Sequence, residues 1–490
     1  MQRVPMTART SISVSLAWMS ASQLLGVALQ LCAQIVLARV LSLYETGIYA
    51  IAIAVVGFLS LLQSIGLQAF IVREKHLTPS VLATAFTVNA AMSLLIALAM
   101  VVVGLAGARF LGDPGVGHVL YAMAFVPVIG IAAFQPLALL EREGRFRAIG
   151  LIQTAASLSG AIVTITAALT GASFMSAAFG QIAMAVVQAA AMIVIGRTMP
   201  PVRFGLERWR EVADFAGQML AISGISNLGA RLSDIILGRL LGLSALGLYS
   251  RASGLNILIW SNLHLLVGRV LFVDFSDIFR RGKSLRDRYI AAVDMLTAFL
   301  WPVFAGFATL SGPFIAVVFG EKWVPARGAV IFLALSSIIQ VAITMTNELF
   351  AATNTLRTQT RIEFIRASFA LATFIAGCLI SIEAAAAARA AESLFAVFLY
   401  RGHINRMTDT APSDLNPIYL RNALVTAVTC LPPCLASAYW GWSPYMPMAW
   451  VVGSALVGGA CWIAMLALLR HRIWMELHAI RARRATGPEG

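Results

Sequence analysis

The sequence predicts an all-α integral membrane protein of about fourteen transmembrane helices: two parallel six-helix lobes around a central cavity, then two further helices. Three observations carry this prediction. Of the 490 residues, 59% are hydrophobic and only 12% charged, a balance suited to lipid rather than water. Apolar runs of the roughly 20 residues that a bilayer crossing needs recur along the whole chain. The basic residues between those runs alternate from gap to gap, as Lys and Arg do when they are kept on the cytoplasmic side.

In order, the runs cover 13–37, 47–71, 80–105, 119–140, 148–169, 172–195, 213–237, 246–271, 289–310, 328–352, 363–380, 384–400, 422–439 and 446–469. The first follows a basic start, as a secretory signal would, but is long and passes into the second run without a polar cleavage region, so it is expected to be retained. The fourth holds Pro127 and Pro136, the ninth Pro302, and the thirteenth Pro432 and Pro433, all sites for a kink. The longest polar stretches, at 197–214, 274–288 and 401–417, are too short for a soluble catalytic domain.

Even-numbered gaps and the two tails hold 26 Lys and Arg residues, against 5 in the odd-numbered gaps. Both termini are therefore expected in the cytoplasm, which requires an even number of crossings. The formal net charge of +14 is then an orientation signal spread over many loops, not a nucleic-acid footprint, and no nucleic-acid partner is expected. The five cysteines, Cys32, Cys378, Cys430, Cys434 and Cys461, all fall in apolar runs without metal-type spacing, so they are read as packing residues and no metal or cofactor is expected.

An internal repeat organises the spans. LARVLSLYETGIYA at 37–50 aligns with LGRLLGLSALGLYS at 237–250, with six identities in fourteen, Gly47/Gly247 and Tyr49/Tyr249 among them. The first copy joins spans one and two, the second spans seven and eight. Spans one to six and seven to twelve therefore read as two copies of one six-helix unit. Six is even, so both copies enter from the same side, a parallel repeat of the kind found in transporters. The expected boundaries are 1–200, 201–410 and 411–490, the last being two added spans with a basic tail.

Polar side chains at bilayer depth face a bundle interior or a watery cavity. Ser223, Asn227, Arg231 and Asp234 make one stripe on span seven at intervals of four, four and three. Span one carries Gln23, Gln30 and Gln34, span six Gln181 and Gln188, and span ten Gln340, Thr344 and Asn347 with Glu348 beside them. Glutamines can also serve as interhelical glue. Intramembrane charge is costlier, so Arg231, Arg251 and Arg269 need compensation; Asp234 is spaced to pair with Arg231, and Arg269 to snorkel. The expected cavity residues are Arg231, Asp234, Arg251, Asn227, Gln30, Gln34, Gln181, Gln188 and Asn347. Asp234 and Glu348 are the candidates to couple transport to a proton or sodium gradient.

Four segments resemble the polysaccharide transporters, or Wzx-type flippases, of the multidrug/oligosaccharidyl-lipid/polysaccharide exporter superfamily: 37–67, 136–153 (PLALLEREGRFRAIGLIQ), 231–252 (RLSDIILGRLLGLSALGLYSRA) and 315–326 (IAVVFGEKWVPA). The resemblance implies two six-helix lobes flanking a cavity. It also implies a polyprenyl-pyrophosphate-linked oligosaccharide as substrate, the inner membrane of a bacterium as location, and a polysaccharide polymerase and chain-length regulator as partners beside membrane lipid. Arginines suit a diphosphate headgroup. A multidrug exporter of the same superfamily is the alternative and calls for an acidic cavity. An enzyme is less favoured: no large external loop suggests a polymerase, and Asp274 with Asp277 does not make the metal site of a glycosyltransferase.

Overall fold

In a bilayer each backbone N–H and C=O must find its partner within the protein, so apolar segments fold as helices. A computed structural model describes residues 22, 25–60, 67–68, 71, 77–110, 112–196, 204–207, 209, 229, 231–353 and 355–475. Among these residues there are helices and no strands. The helices are α1 (Leu25–Val40), α2 (Leu43–Ser60), α3 (Pro79–Phe110), α4 (Pro114–Met123), α5 (Phe125–Arg142), α6 (Phe146–Leu169), α7 (Met175–Gly196), α8 (231–240), α9 (Leu243–Arg280), α10 (Arg286–Val318), α11 (Arg327–Val341), α12 (Thr346–Ala352), α13 (Leu356–Cys378), α14 (Ile382–Thr408), α15 (Pro412–Tyr439) and α16 (Met448–Leu468). Nine stretches among the described residues are long and apolar enough to cross a membrane. The chain divides into two compact units, Met1–Gly247 and Leu248–Gly490.

In the first unit the two repeat copies share a local geometry. Each joins its helices through two residues, with Leu41 N–H donating to Leu37 O at 2.8 Å and Leu241 N–H to Leu237 O at 2.9 Å. The first copy is also capped reciprocally: Ser42 N–H donates to Glu45 Oε2 at 2.7 Å and Glu45 N–H to Ser42 Oγ at 3.2 Å, a capping box. The repeat glycines pack against each other's helix start. A Cβ on Gly47 would lie 1.9 Å from the Leu243 carbonyl oxygen, and one on Gly247 would lie 2.3 Å from that of Leu43. Only glycine permits that approach.

The fourth span is two helices, α4 and α5, separated at Ala124. Pro127 explains the break, because its ring cannot donate to the carbonyl four residues back, Met123. A proline in the second unit is accommodated differently. Pro302 frees the Ala298 carbonyl inside α10, and the Trp462 indole of α16 donates to it at 2.8 Å. Pro433 likewise frees the Thr429 carbonyl in α15, and Gly458 of α16 lies so close that a Cβ there would sit 2.6 Å from it.

The tenth span corrects the sequence reading. The continuous helix expected over 328–352 is broken at 342–345 into α11 and α12, with Met345 in left-handed backbone at φ 61°. Neither Gly nor Pro marks the place. Tertiary donors stabilise it: Tyr419 Oη and Arg401 Nη2 both donate to the Ala342 carbonyl, at 2.7 and 2.9 Å, and Trp301 Nε1 donates to Ile338 O at 2.8 Å. Met345 itself is buried in a cluster with Tyr289, Phe304 and Phe350.

Candidate functional site

The first unit holds a cavity of about 410 Å3 between α1, α6 and α7. Gln30, Gln181 and Gln188, all expected cavity residues, line it together with Gln153, Ser157 and Thr164. Gln30, Gln153 and Gln181 are exposed in the isolated chain. The described lining residues include no Asp, Glu, Lys, Arg or His. Tyr49, a repeat residue, hydrogen-bonds Gln181. Gln34, one turn beyond Gln30 on α1, is half-buried and engaged within the protein; it does not line this cavity. Gln153 and Ser157 were absent from the sequence reading; their spacing of four on α6 was the available signal.

Arg231 packs its guanidinium stem on α2: a Cβ on Gly57 would lie 2.5 Å from Arg231 Nε and 2.7 Å from Cζ. Asp234, on the next turn of α8, has an interaction partner of its own. Asn227 and Ser223 lie outside the described residues, as does the side chain of Arg269.

In the second unit Arg251 of α9 lies over two rings, with Cζ 5.2 Å from the centre of Phe319 and 5.0 Å from that of Trp323. Trp323 is fully buried. The pairing ties α9 to the turn after α10, and the rings' negative faces attract the guanidinium. Asn347 and Glu348 sit in the first turn of α12, beyond the break, where Gln359 Nε2 donates to Asn347 Oδ1 at 2.5 Å. Glu348 is also engaged within the protein.

Two charged networks in this unit were absent from the sequence reading. Arg366 bonds Glu363 at 2.6 Å and Glu392 at 2.7 Å, Arg389 bonds Glu392 at 3.0 Å, and Tyr400 Oη donates to Glu363 at 3.0 Å. These four charges join α13 to α14 and balance to zero. The i, i+3 spacing of Glu363/Arg366 and Arg389/Glu392 was the readable part. In the second network Asp294 of α10, 1% exposed, accepts from Arg421 at 2.6 Å, from Asn422 Nδ2 at 3.1 Å and from His471 Nε2 at 3.0 Å. His471 Nδ1 accepts the Ile473 amide at 3.2 Å, which leaves the ring proton on Nε2 facing Asp294. The network thereby fastens α15 and the segment after α16 to α10. Beside it, α10, α15 and α16 enclose an apolar groove of about 530 Å3 lined by Phe299, Val303, Phe307, Val452 and Leu456.

The chain is similar to the lipopolysaccharide biosynthesis protein WzxC of Escherichia coli (strain K12), at 24% identity over 308 residues, 62% of this chain and 63% of that one. It is also similar to the succinoglycan biosynthesis transport protein ExoT of Rhizobium meliloti (strain 1021), at 26% over 301 residues, 61% of each. It thus spans about three fifths of the length of these relatives. Its fold is similar to that of the lipid II flippase MurJ in an inward closed conformation, with a TM-score of 0.72 at 14% identity, over 92% of this chain and 98% of that one. It is also similar to an inward-facing multidrug resistance MATE family transporter of the MOP superfamily, with a TM-score of 0.59 at 14% identity, over 79% and 96%. The family model described as polysaccharide biosynthesis protein matches residues 36–327, more than half of the chain; the chain belongs to the polysaccharide biosynthesis protein family.

Proposed function

We propose that this protein is a flippase, not an enzyme: it carries polyprenyl-pyrophosphate-linked oligosaccharides across the cytoplasmic membrane for exopolysaccharide, capsule or O-antigen synthesis. The observation that carries the reading is the polar cavity of the first unit. Gln153, Ser157, Thr164, Gln181 and Gln188 stand on two helices otherwise long and apolar enough to cross a membrane, α6 and α7, where a polar side chain signals a water-filled path. Membership of a polysaccharide biosynthesis family supports a saccharide-bearing cargo. The apolar groove of α10, α15 and α16 suits a hydrocarbon tail that stays in lipid while the headgroup crosses.

The headgroup would load from the cytoplasmic leaflet and leave outward as the lobes alternate in access. Arg231 and Arg251, with Asp234, Asn227 and Asn347, are proposed to meet its diphosphate and polar edges, and Asp234 or Glu348 to couple the cycle to a proton or sodium gradient. Both termini would be cytoplasmic, in the inner membrane of a bacterium, beside a polymerase and a chain-length regulator. A multidrug exporter taking amphipathic cations is disfavoured because the described residues of the cavity lining offer them no carboxylate.

The test is made in cells lacking the protein, by assaying surface polymer and the leaflet on which lipid-linked oligosaccharides reside. Loss of polymer with oligosaccharides held on the cytoplasmic leaflet, restored by wild type and not by Arg231→Ala, is expected. Normal polymer, or oligosaccharides already outside, would remove the reading.

A further inference from the structure

Within the flippase reading, on which this inference rests, the cavity between α1, α6 and α7 has a chemistry that separates one part of the cargo from another. Gln30, Gln153 and Gln181 come from three different helices and are all exposed. A carboxamide carries two donors and an acceptor, and the one bond from Gln181 to Tyr49 leaves most of that capacity costly to place against hydrocarbon. The convergence of the three glutamines on one cavity marks that face as the wet one.

The cavity is also free of formal charge among its described lining residues. A phosphate or a carboxylated sugar entering it would shed water and meet no counter-ion. A carboxamide instead presents a donor and an acceptor side by side, which match two neighbouring hydroxyls of a sugar ring. Hydroxyls from Ser157 and Thr164 add further donors and acceptors.

Glycines set how closely α6 and α7 meet at the cavity wall. Gly160 and Gly180 pack backbone to backbone, with a Cβ on Gly180 placed 2.8 Å from the Gly160 carbonyl oxygen and 1.8 Å from Thr164 Oγ1. The cavity, about 410 Å3, lies near the small end of the roughly 300–1,000 Å3 range of small-molecule pockets. That volume suits a short saccharide and is too small for a whole lipid-linked oligosaccharide.

We infer that this cavity is a subsite for the uncharged sugar residues of the cargo, read by Gln30, Gln153, Gln181 and Gln188, and that it discriminates against acidic sugars. The pyrophosphate is bound elsewhere, by arginines.

The experiment uses the full chain in cells with benzoylphenylalanine in place of Met184, an apolar residue of the cavity lining, irradiated after feeding with 14C-glucose or, separately, 14C-acetate. The saccharide label is expected to transfer to the protein, with mass spectrometry finding neutral sugar residues in the adduct. Labelling from acetate alone, an adduct through an acidic sugar, or no adduct in a variant that still supports polymer would each overturn the assignment. Gln181→Leu with Gln188→Leu makes the helix more apolar and is expected to insert normally while lowering polymer at least tenfold; wild-type polymer would overturn the assignment too. If instead deleting the protein leaves lipid-linked oligosaccharides distributed normally between leaflets, the flippase reading itself falls, whatever the cross-link shows.

Discussion

Arg251 illustrates how much one side chain's surroundings decide. It lies over Phe319 and Trp323, a setting in which the planar guanidinium stacks and an ammonium cannot. Arg251→Lys is therefore expected to destabilise the second unit by about 0.5–2 kcal/mol, seen as a lower unfolding temperature of the purified protein in detergent. Asp294 should be more costly to lose. Removing one partner of a buried pair costs roughly 3–5 kcal/mol, and Asp294→Ala is expected near the lower end because Arg421 is 33% exposed. Adding Arg421→Ala should cost less than the sum of the two single changes; additive costs would show that the pair is not energetically coupled. Little of this network was legible in the sequence. Asp294 stands alone in an apolar run, and its partners lie 127 and 177 residues away. Gln30, Gln181 and Gln188 were legible because they belong to stripes at helical spacing within one apolar run, a pattern that needs no distant partner to be seen.

At the scale of elements, prolines and glycines carry the predictions. Trp462→Phe removes the indole that caps the Ala298 carbonyl and is expected to cost about 1–3 kcal/mol. Pro302→Ala restores the missing backbone donor, so the cost of Trp462→Phe should fall in that background; an unchanged cost in thermal melts would show that the indole acts only through packing. Gly47→Ala and Gly247→Ala place a methyl group 1.9 and 2.3 Å from a carbonyl oxygen. Each is expected to abolish a monodisperse peak in size-exclusion chromatography, and a variant that elutes as wild type would show that the contact can open. The proline break between α4 and α5 was readable from Pro127, and the repeat from its identities. The break at 342–345 was not, because its donors Trp301, Arg401 and Tyr419 sit on α10, α14 and α15. Local sequence has no means of announcing a partner that only folding brings near.

For the molecule as a whole, the alternation of 26 against 5 basic residues predicts orientation. A fluorescent protein fused to either terminus should be bright, and alkaline phosphatase fused at either end inactive; an active phosphatase at one end would require an odd number of crossings. Fold class was the most legible property, since bilayer-length apolar runs admit few alternatives. The helices α13 and α14 show where that rule becomes weak. At 23 and 27 residues they are long enough, yet the four mutually neutralising charges, with Arg357, Arg361, Glu383, Arg401 and Arg406 beside them, lower the apolar signal, and neither is among the nine clear spans.

The absence of formal charge among the described residues lining the first unit's cavity also bears on energetics across the membrane. Moving one elementary charge through the potential is worth about 2.3 kcal/mol per 100 mV. A neutral sugar seated among amides carries no such charge, and the described lining residues gain or lose none as pH changes. Voltage would then do its work on the diphosphate and on the coupling ion, while the number of neutral sugars carried in that cavity leaves the electrical work of a transport cycle unchanged.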